Sequence, residues 1–363
     1  MTSDPNTPIA IAILGAGRWG RHLIRNFHHI PDAEIVAVID PDQAQRSAVM
    51  AEVGVGDTVV GCDSWDAFCE CEDFADQRDR LEAIVIATPA TTHYTTIVDA
   101  LQRGYHVLCE KPLTLDYGEC RHLCDLAHQH QRQLVIDHTY LFNPAVQRGA
   151  DLIREGAIGE PRYGYAARVH LAPVRRDVDV IWDLVIHDIS ILNHWLGETP
   201  QRLSAIGLAR LQPTTPDFAP LDLFPQGLAD VGFLRLVYPS GVTIQVHLSW
   251  FNPDKQRRLG VVGSRGTLVF DELAESPLTV YRGQMEQQAS GIWEPVNQTI
   301  EPIALEAAEP LRSVCNHFLA CIRAGRGSEI SSGAIGAELV RVLQAISRSV
   351  NADGAWIEVA SIP

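Results

Sequence analysis

The chain has 363 residues, of which 46 % are hydrophobic and 20 % are charged, a composition typical of a soluble globular protein with about two domains. Its formal net charge of −16 and its pI near 5.3 argue against nucleic acid or an anionic membrane as the main partner. No run approaches the roughly 20 apolar residues of a membrane span, and the N-terminus lacks the basic segment of a signal peptide, so we expect a cytoplasmic protein.

The first predicted elements are a strand, a glycine-rich turn and a helix. "IAIAIL", residues 9–14, is a continuous apolar run, which predicts a strand buried on both faces of a parallel sheet. GAGRWG follows at once, and apolar residues then recur at helical spacing up to Pro31. "EIVAVID", residues 34–40, predicts the next strand, which ends on Asp40.

This strand–turn–helix arrangement predicts a dinucleotide site; the alternative is a plain turn without a ligand. Gly15 allows the tight turn, Gly17 lets a pyrophosphate approach the backbone, and Gly20 lets the helix and strand pack closely. Asp40 would accept hydrogen bonds from the adenosine ribose hydroxyls and repel a 2′-phosphate, which favours NAD over NADP. The predicted cofactor site therefore includes Gly15, Gly17, Arg18, Trp19, Gly20 and Asp40.

The alternation of strands and helices continues to residue 137. Residues 83–88 predict a buried strand, followed by a helix near 91–102, a short strand at 106–109, a polar helix near 116–131 and a strand at 133–137. Lys111, one of two lysines in the chain, follows the strand at 106–109 and so lies at the ligand-binding edge of a doubly wound sheet. A Lys ammonium is a compact donor that can lose its proton, whereas an Arg guanidinium cannot.

The second half of the chain has a different pattern. A predicted helix ends at Arg154, and alternating apolar segments separated by turns then predict one large, mostly antiparallel, open-faced sheet in an α+β domain. Two helices near 308–324 and 333–349 complete the chain. We expect a Rossmann NAD-binding domain at 1–137 and a substrate-binding and oligomerisation domain at 138–363. The predicted strands are 162–171, 202–209, 228–238, 241–250, 257–263 and 266–271.

The segment "DVDVIWDLVIHDISILNHWLG", residues 177–197, predicts a mostly apolar helix. Asp183 and His187 lie four residues apart on one face of it. They could form an ordinary side-chain pair on a solvated face. Charged residues without a structural or functional partner are uncommon on a mostly apolar helix, however. His is also well suited to transfer protons near neutral pH.

The eight cysteines lack paired C-x-x-C spacing, so they are expected to be reduced thiols. Cys120 and Cys124, with His122 and His128 nearby, offer too few converging ligands for a closed zinc site. The sequence therefore predicts no metal.

Together, several motifs resemble the family of glucose–fructose oxidoreductase, inositol dehydrogenase and rhizopine-catabolism oxidoreductases (Gfo/Idh/MocA). The resemblance implies that Lys111, Asp183 and His187 are catalytic, and that Thr88, Pro89, His93 and Glu110 join the cofactor site, with Lys111 near the nicotinamide. It also implies a homodimer or homotetramer formed through the second sheet. The matching motifs are GAGRWG (15–20), ATPATTH (87–93), GYHVLCEKP (104–112), HTYLFNPA (138–145), D-x-x-x-H (183–187), HFLACIRAGR and SSGAIGAELVRVLQA.

The D-x-x-x-H motif departs from the family pattern at several positions. Many members have glycines before the Asp and a second Asp three residues after the His. Here Ser190 takes the later position, and Asp188, beside His187, has an open role. The residues that stand before the Asp are Val180, Ile181 and Trp182. The form WDLxxHDISI is similar to relatives that oxidise nucleotide-linked sugars.

The resemblance implies an NAD-dependent dehydrogenase acting on a secondary alcohol of a sugar, nucleotide sugar or cyclitol. Either His187 or Lys111 could be the base; we assign the proton to His187, because an imidazole, with an ordinary pKa of about 6.5, needs little tuning. Two alternatives are a non-enzymatic dinucleotide-sensing regulator and an NAD-dependent glycoside hydrolase. The expected substrate contacts are Tyr140, Asn143, Arg168, Arg175 and His187.

Overall fold

A computed structural model of the chain describes residues 7–56, 58–217 and 219–362 and divides into two compact units. The first unit comprises Met1–Thr139 and Glu309–Val340, and the second comprises Tyr140–Ala308 and Arg341–Pro363. The chain therefore passes from one unit to the other three times. Residues 309–340, which the sequence places in the second domain, group with the first unit.

The first unit contains a six-stranded parallel sheet with the strand order β3-β2-β1-β4-β5-β6. Every residue of β1, β4 and β6 is buried, which explains their continuous apolar runs. The predicted doubly wound sheet is confirmed, and the structure adds β3, a three-residue strand too short to show a pattern. The strands are β1 (Ile9–Leu14), β2 (Ala33–Ile39), β3 (Val60–Cys62), β4 (Ala83–Ile86), β5 (His106–Glu110) and β6 (Leu134–Asp137).

Helices connect these strands, and polar side chains begin several of them. Ser64 and Asp116 each accept a hydrogen bond from the backbone N–H three residues later, which stabilises the first turns of α3 and α6. The helices are α1 (Arg18–His28), α2 (Gln43–Val53), α3 (Trp65–Glu70), α4 (Ala75–Arg80), α5 (His93–Gln102) and α6 (Tyr117–Gln129).

The second unit contains a nine-stranded sheet with the order β14-β13-β12-β11-β7-β10-β9-β8-β15. Only the β7–β10 pair is parallel among its described pairings, so the predicted mostly antiparallel sheet is confirmed. β13 and β14 are additions; β14 is exposed almost throughout and lacks the alternation of a half-buried strand. The strands are β7 (Pro161–Leu171), β8 (Arg202–Leu208), β9 (Val231–Val237), β10 (Thr243–Ser249), β11 (Phe251–Gly263), β12 (Gly266–Asp271), β13 (Leu278–Gln287), β14 (Trp293–Pro302) and β15 (Ile357–Glu358).

The remaining helices are α7 (Pro144–Arg154), α8 (Ile186–Leu196), α9 (Pro310–Ala324) and α10 (Gly333–Asn351), and a π-helical turn (Ile181–Val185) leads into α8. Within the first unit, α9 packs against α1, where Glu309 accepts hydrogen bonds from Arg25 at 2.5 Å and Asn26 at 3.1 Å. None of the helices in the described part of the chain is long and apolar enough to cross a membrane.

One side of the second sheet carries the exposed apolar side chains Tyr163, Ile206, Phe233 and Tyr281 together with the half-buried His247, and we call these five residues the open face. The strand register places Phe233 between Ile206 and His247, and the Phe233 and His247 rings stack with centroids 4.7 Å apart. Phe233 is 47 % exposed and Ile206 is 52 % exposed, so these side chains lie on the surface of the sheet and no other part of the chain buries them fully.

Candidate active site

The glycine loop of the first unit has the geometry that a dinucleotide requires. Gly15 has a φ of +95°, and a Cβ there would lie 2.5 Å from the Ala87 carbonyl oxygen. A Cβ on Gly20 would lie 1.8 Å from the Gly15 carbonyl oxygen, so both positions require glycine. A Cβ on Gly17 would meet nothing within 4 Å, which leaves space for a phosphate to approach the backbone.

The N-terminus of α1 completes this phosphate-sized space. Gly17 is the N-cap and provides no side-chain hydrogen bond to the first turn, so the N–H groups there can serve an anion instead. Arg18 and Trp19 are exposed beside this turn, and the Trp19 ring is 41 % exposed. These features fit a bound NAD pyrophosphate.

Asp40 lies at the end of β2 and contacts the glycine loop directly. Its Oδ2 accepts a hydrogen bond from the Ala16 N–H at 2.7 Å, and its Oδ1 accepts one from the Asp42 N–H at 2.9 Å. Arg46 lies beside it, buried, but its guanidinium donates to the carbonyl oxygens of Asp40 and Cys62 and pairs with Asp63 at 2.8 Å. The Arg46 guanidinium therefore binds these carbonyl oxygens and Asp63, and the contact of the Asp40 carboxylate with a ribose stays a prediction.

His93 ties two loops of the predicted cofactor site together. Its ring nitrogens lie 2.9 Å from the Thr88 carbonyl oxygen and 3.0 Å from the Pro112 carbonyl oxygen, and the side chain is 1 % exposed. These contacts make His93 a scaffold residue that holds the Thr88–Pro89 loop near the Lys111–Pro112 loop. Lys111 itself is 8 % exposed and precedes a cis peptide bond to Pro112.

In the second unit, the segment from Val178 to Leu192 presents two polar side chains. All its residues are buried except Asp183 and His187. The predicted helix is present, but its first turn, which holds Asp183, is π-helical, a rare geometry found most often at functional sites. Ser190, at the position of the family's second Asp, donates to the His187 carbonyl oxygen at 2.8 Å.

Arg175 holds Asp183 from one side. Its Nη1 donates to Asp183 at 3.1 Å, while Nε and Nη2 donate to the two oxygens of Asp177 at 2.9 Å and 2.5 Å. Burial opposes the charge of Arg175, but the two carboxylates outweigh it and raise the pKa of the guanidinium above its usual range. Three of its N–H groups therefore donate to these two aspartates, and contact of Arg175 with substrate stays a prediction.

Tyr140 packs against His187, with ring centroids 4.9 Å apart. Its hydroxyl donates to Glu272 at 2.5 Å and accepts a hydrogen bond from Arg168 at 2.8 Å, and the Arg168 guanidinium lies 4.6 Å from the ring centroid. Arg257 completes the set by donating to Glu272 at 2.8 Å. The hydrogen bonds of the Tyr140 hydroxyl and the Arg168 guanidinium therefore fix the ring in the position that contacts His187.

The structure gives Asp188 a role that the sequence left open. One of its oxygens accepts from Arg168 Nε at 3.1 Å and Nη2 at 2.8 Å, and both side chains are at most 4 % exposed. Burial raises the pKa of the Asp188 carboxyl, and the Arg168 charge limits that rise. Arg168 is buried between Asp188 and Tyr140, and its contact with substrate stays a prediction. Asn143, also predicted, caps α7 by accepting from the Ala145 N–H at 2.8 Å.

Three residues of these networks were absent from the sequence prediction: Asp177, Arg257 and Glu272. Asp177 is two residues from Arg175, so local spacing is a signal for it. Glu272 lies 132 residues from Tyr140 and has no local signal. Among the described residues, no group of three or more His, Cys, Asp or Glu side chains is arranged to hold a metal ion.

Comparison with known proteins gives matches in both halves of the chain. The NAD-binding Rossmann domain of an oxidoreductase family matches residues 9–138, and the Gfo/Idh/MocA C-terminal domain matches residues 146–269. UDP-N-acetylglucosamine 3-dehydrogenase of Acidithiobacillus ferrooxidans is 32 % identical over 200 residues, which cover 54 % of this chain and 57 % of that protein. scyllo-Inositol 2-dehydrogenase (NAD(+)) of Bacillus subtilis is 26 % identical over 281 residues, covering 75 % and 76 %.

A solved structure of the Acidithiobacillus ferrooxidans UDP-N-acetylglucosamine 3-dehydrogenase is also similar, with a TM-score of 0.76 and 25 % identity over 95 % of this chain and 98 % of that one. By sequence, the chain spans a little over half the length of the first curated relatives that it matches. The two family matches together cover more than half of the chain and agree with both sheets. The chain belongs to the Gfo/Idh/MocA family of oxidoreductases and carries that family's NAD-binding Rossmann domain.

Proposed function

We propose that this protein is an NAD-dependent dehydrogenase that oxidises a secondary alcohol of a sugar, nucleotide sugar or cyclitol. The observation that supports this most is the selective exposure of Asp183 and His187 on an otherwise buried segment. A carboxylate and an imidazole that both reach solvent on one segment can act together in proton transfer. The NAD-binding domain supplies the other requirement, an acceptor for hydride.

Bound NAD would take the hydride from the alcohol carbon. In our proposal His187 removes the hydroxyl proton, Lys111 stabilises the negative charge that develops on that oxygen, and Asp183 orients His187 or binds a neighbouring hydroxyl. The Tyr140 ring, fixed by Arg168 and Glu272, would hold the imidazole plane in place during this transfer.

The deciding experiment is a panel of UDP-sugars, free hexoses and inositols incubated with NAD and followed by NADH absorbance. UDP-N-acetylglucosamine is the first substrate to test, because a relative with that activity is 32 % identical over the matched residues. NADH that accumulates supports a dehydrogenase, and NADH kept on the enzyme while a glycoside is hydrolysed supports the hydrolase. Cofactor binding with no turnover of any substrate would support the regulator.

We expect Asp40→Asn to lose the preference for NAD over NADP, because it removes the charge that repels a 2′-phosphate while an amide oxygen can still accept from the Ala16 N–H. Asp40→Ala should also weaken NAD binding, since it removes the acceptor that anchors the glycine loop, a change of about 1 kcal/mol in stability. Calorimetric titration with both dinucleotides measures this. Tighter binding of NADP than of NAD by the unmodified protein would contradict the assignment.

We also propose that the open face is buried against a second copy of the chain, giving a homodimer or homotetramer. Contiguous exposed apolar side chains of this kind usually mark an interface. Light scattering at micromolar concentration should show an oligomer, and Phe233→Glu should shift it towards the monomer. Gln102→Glu, at an exposed polar position on α5 in the first unit, is the charge-matched control away from the open face. A monomeric unmodified protein would end this proposal.

A further inference from the structure

Two acidic side chains lie side by side at the carboxyl edge of the first sheet. β5 and β6 are adjacent parallel strands, and their register pairs Glu110 with Asp137. Paired residues on neighbouring strands project from the same face, and the strands lie about 5 Å apart. Glu110 is 8 % exposed and Asp137 is 1 % exposed, so both carboxyl groups are away from bulk water.

Each of these carboxyl groups has one oxygen that finds no donor among the described residues, Oε1 of Glu110 and Oδ2 of Asp137. The other Asp137 oxygen accepts a hydrogen bond from the Thr139 hydroxyl at 2.6 Å. Two ionised carboxylates cannot bond to each other, because each can only accept. A single proton between them turns Glu110 into a donor to Asp137 and gives the pair the hydrogen bond that it lacks.

The charges around the pair favour this arrangement. Burial, and next the charge of Asp137, raise the pKa of Glu110 well above its usual range, while Lys111 opposes that rise. Burial also raises the pKa of Asp137, but the hydrogen bond that the Thr139 hydroxyl donates to Asp137 opposes that rise, so the proton belongs on Glu110.

Two thiols on the surrounding elements interact electrostatically with the carboxyl pair: Cys109 on β5, which projects to the opposite face of the sheet from Glu110, and Cys315 on α9. Burial, together with the carboxyl groups, raises the pKa of both thiols well above their usual range, so both stay neutral. Lys111 is therefore the neighbouring cation that interacts with both carboxyl groups.

We propose that Glu110 and Asp137 share one proton and act as a positioning pair for Lys111, to which they present one negative charge instead of two. One charge is enough to hold the ammonium, and a second would oppose the negative charge that develops on the substrate oxygen. The role of Lys111 rests on the proposed function, whereas the shared proton does not.

Infrared absorption tests the shared proton without any substrate. A protonated carboxylic acid has a carbonyl stretch distinct from that of a carboxylate, and the band moves when the proton exchanges for deuterium. We expect such a band at pH 8 in the unmodified protein and its loss in Glu110→Gln. Asp179→Asn is the matched control, because burial raises the pKa of Asp179 to about 7 and leaves that carboxyl mostly ionised at pH 8.

Charge counting gives the second test. Glu110→Gln and Asp137→Asn each keep one negative charge beside Lys111, and the double variant keeps none. Loss of that charge releases the Lys111 side chain from its electrostatic partner, so acylation of Lys111 at pH 8 should accelerate about tenfold in the double variant, a factor that corresponds to about 1.4 kcal/mol of lost interaction. Each single variant should change the rate by less than about threefold. Lys255, the other lysine, is an internal reference in the same mass spectrum.

Absence of an exchangeable carboxylic acid band at pH 8, or its survival in Glu110→Gln, would overturn the shared proton. Equal acceleration in the single and double variants would overturn the charge role. A protein that turns over no substrate but gives both expected results would refute the dehydrogenase and leave the shared proton standing.

Discussion

Replacing His187 with alanine is expected to lower kcat/KM about 10²–10⁴-fold, the usual contribution of a positioned general base. An imidazole accepts a proton only when it is itself unprotonated, so activity of the unmodified enzyme should fall as the pH decreases. That acidic limb of the kcat/KM profile should disappear in His187→Ala. NAD binding by calorimetry should be unchanged, because the cofactor loop lies in the first unit.

The Lys111 variants separate the two catalytic roles. Lys111→Arg keeps the charge but spreads it over a larger planar group, so it should lose most turnover while still binding NAD. Lys111→Met removes the charge and should lower kcat without removing the acidic limb. If the limb instead survives in His187→Ala and vanishes in Lys111→Met, the lysine is the base and the histidine is the supporting group.

Breaking the buried Arg168–Asp188 pair should have the largest effect on stability. Asp188→Ala removes the nearer charge partner of the buried guanidinium and leaves Glu272, at 3.9 Å, as the other; breaking such a buried pair typically costs about 3–5 kcal/mol. Denaturant unfolding at neutral pH measures the loss. Asp151→Ala removes a comparable but exposed contact to Arg154 at 2.8 Å, and it should cost less than about 1 kcal/mol.

The double variant Arg168→Met with Asp188→Leu distinguishes stability from catalysis. Apolar side chains of similar volume can replace a buried ion pair with little loss, so the double variant should unfold at nearly the denaturant concentration of the unmodified protein. It should nevertheless have low activity, because Tyr140 loses the hydrogen bond and the cation that hold it against His187. Full activity in this variant would show that Tyr140 needs no such support.

Most of the fold could be predicted because its signals are local. The apolar runs at 9–14 and 83–88 correspond to strands of the parallel sheet, and residues 177–197 contain the helix expected there. The π-helical turn at Ile181–Val185 could not be predicted, since five residues do not distinguish its period from that of an α-helix. The Tyr140–Glu272 contact forms because a strand that is distant in the sequence folds back close to Tyr140. The spacing of residues along the sequence does not predict such a contact.

The same limit applies to the division of the chain. Residues 309–324 read as an ordinary amphipathic helix, and their pattern does not say which sheet they cover. That depends on tertiary contacts, such as those of Glu309 with Arg25 and Asn26. Asp188 is a further case. Its position beside His187 suggests a role in catalysis, whereas its hydrogen bonds from Arg168, twenty residues earlier, explain why its carboxyl group is buried.

The order in which the chain visits its two units has a consequence for biosynthesis. α9, which packs on α1 and β6, is made about 170 residues after β6. At about 5–20 residues per second, roughly 10–30 s pass before the ribosome supplies it. During that interval the surfaces of α1 and β6 that α9 later covers are available to chaperones. Maturation of the cofactor-binding unit is therefore a late event in translation, although most of that unit is synthesised first.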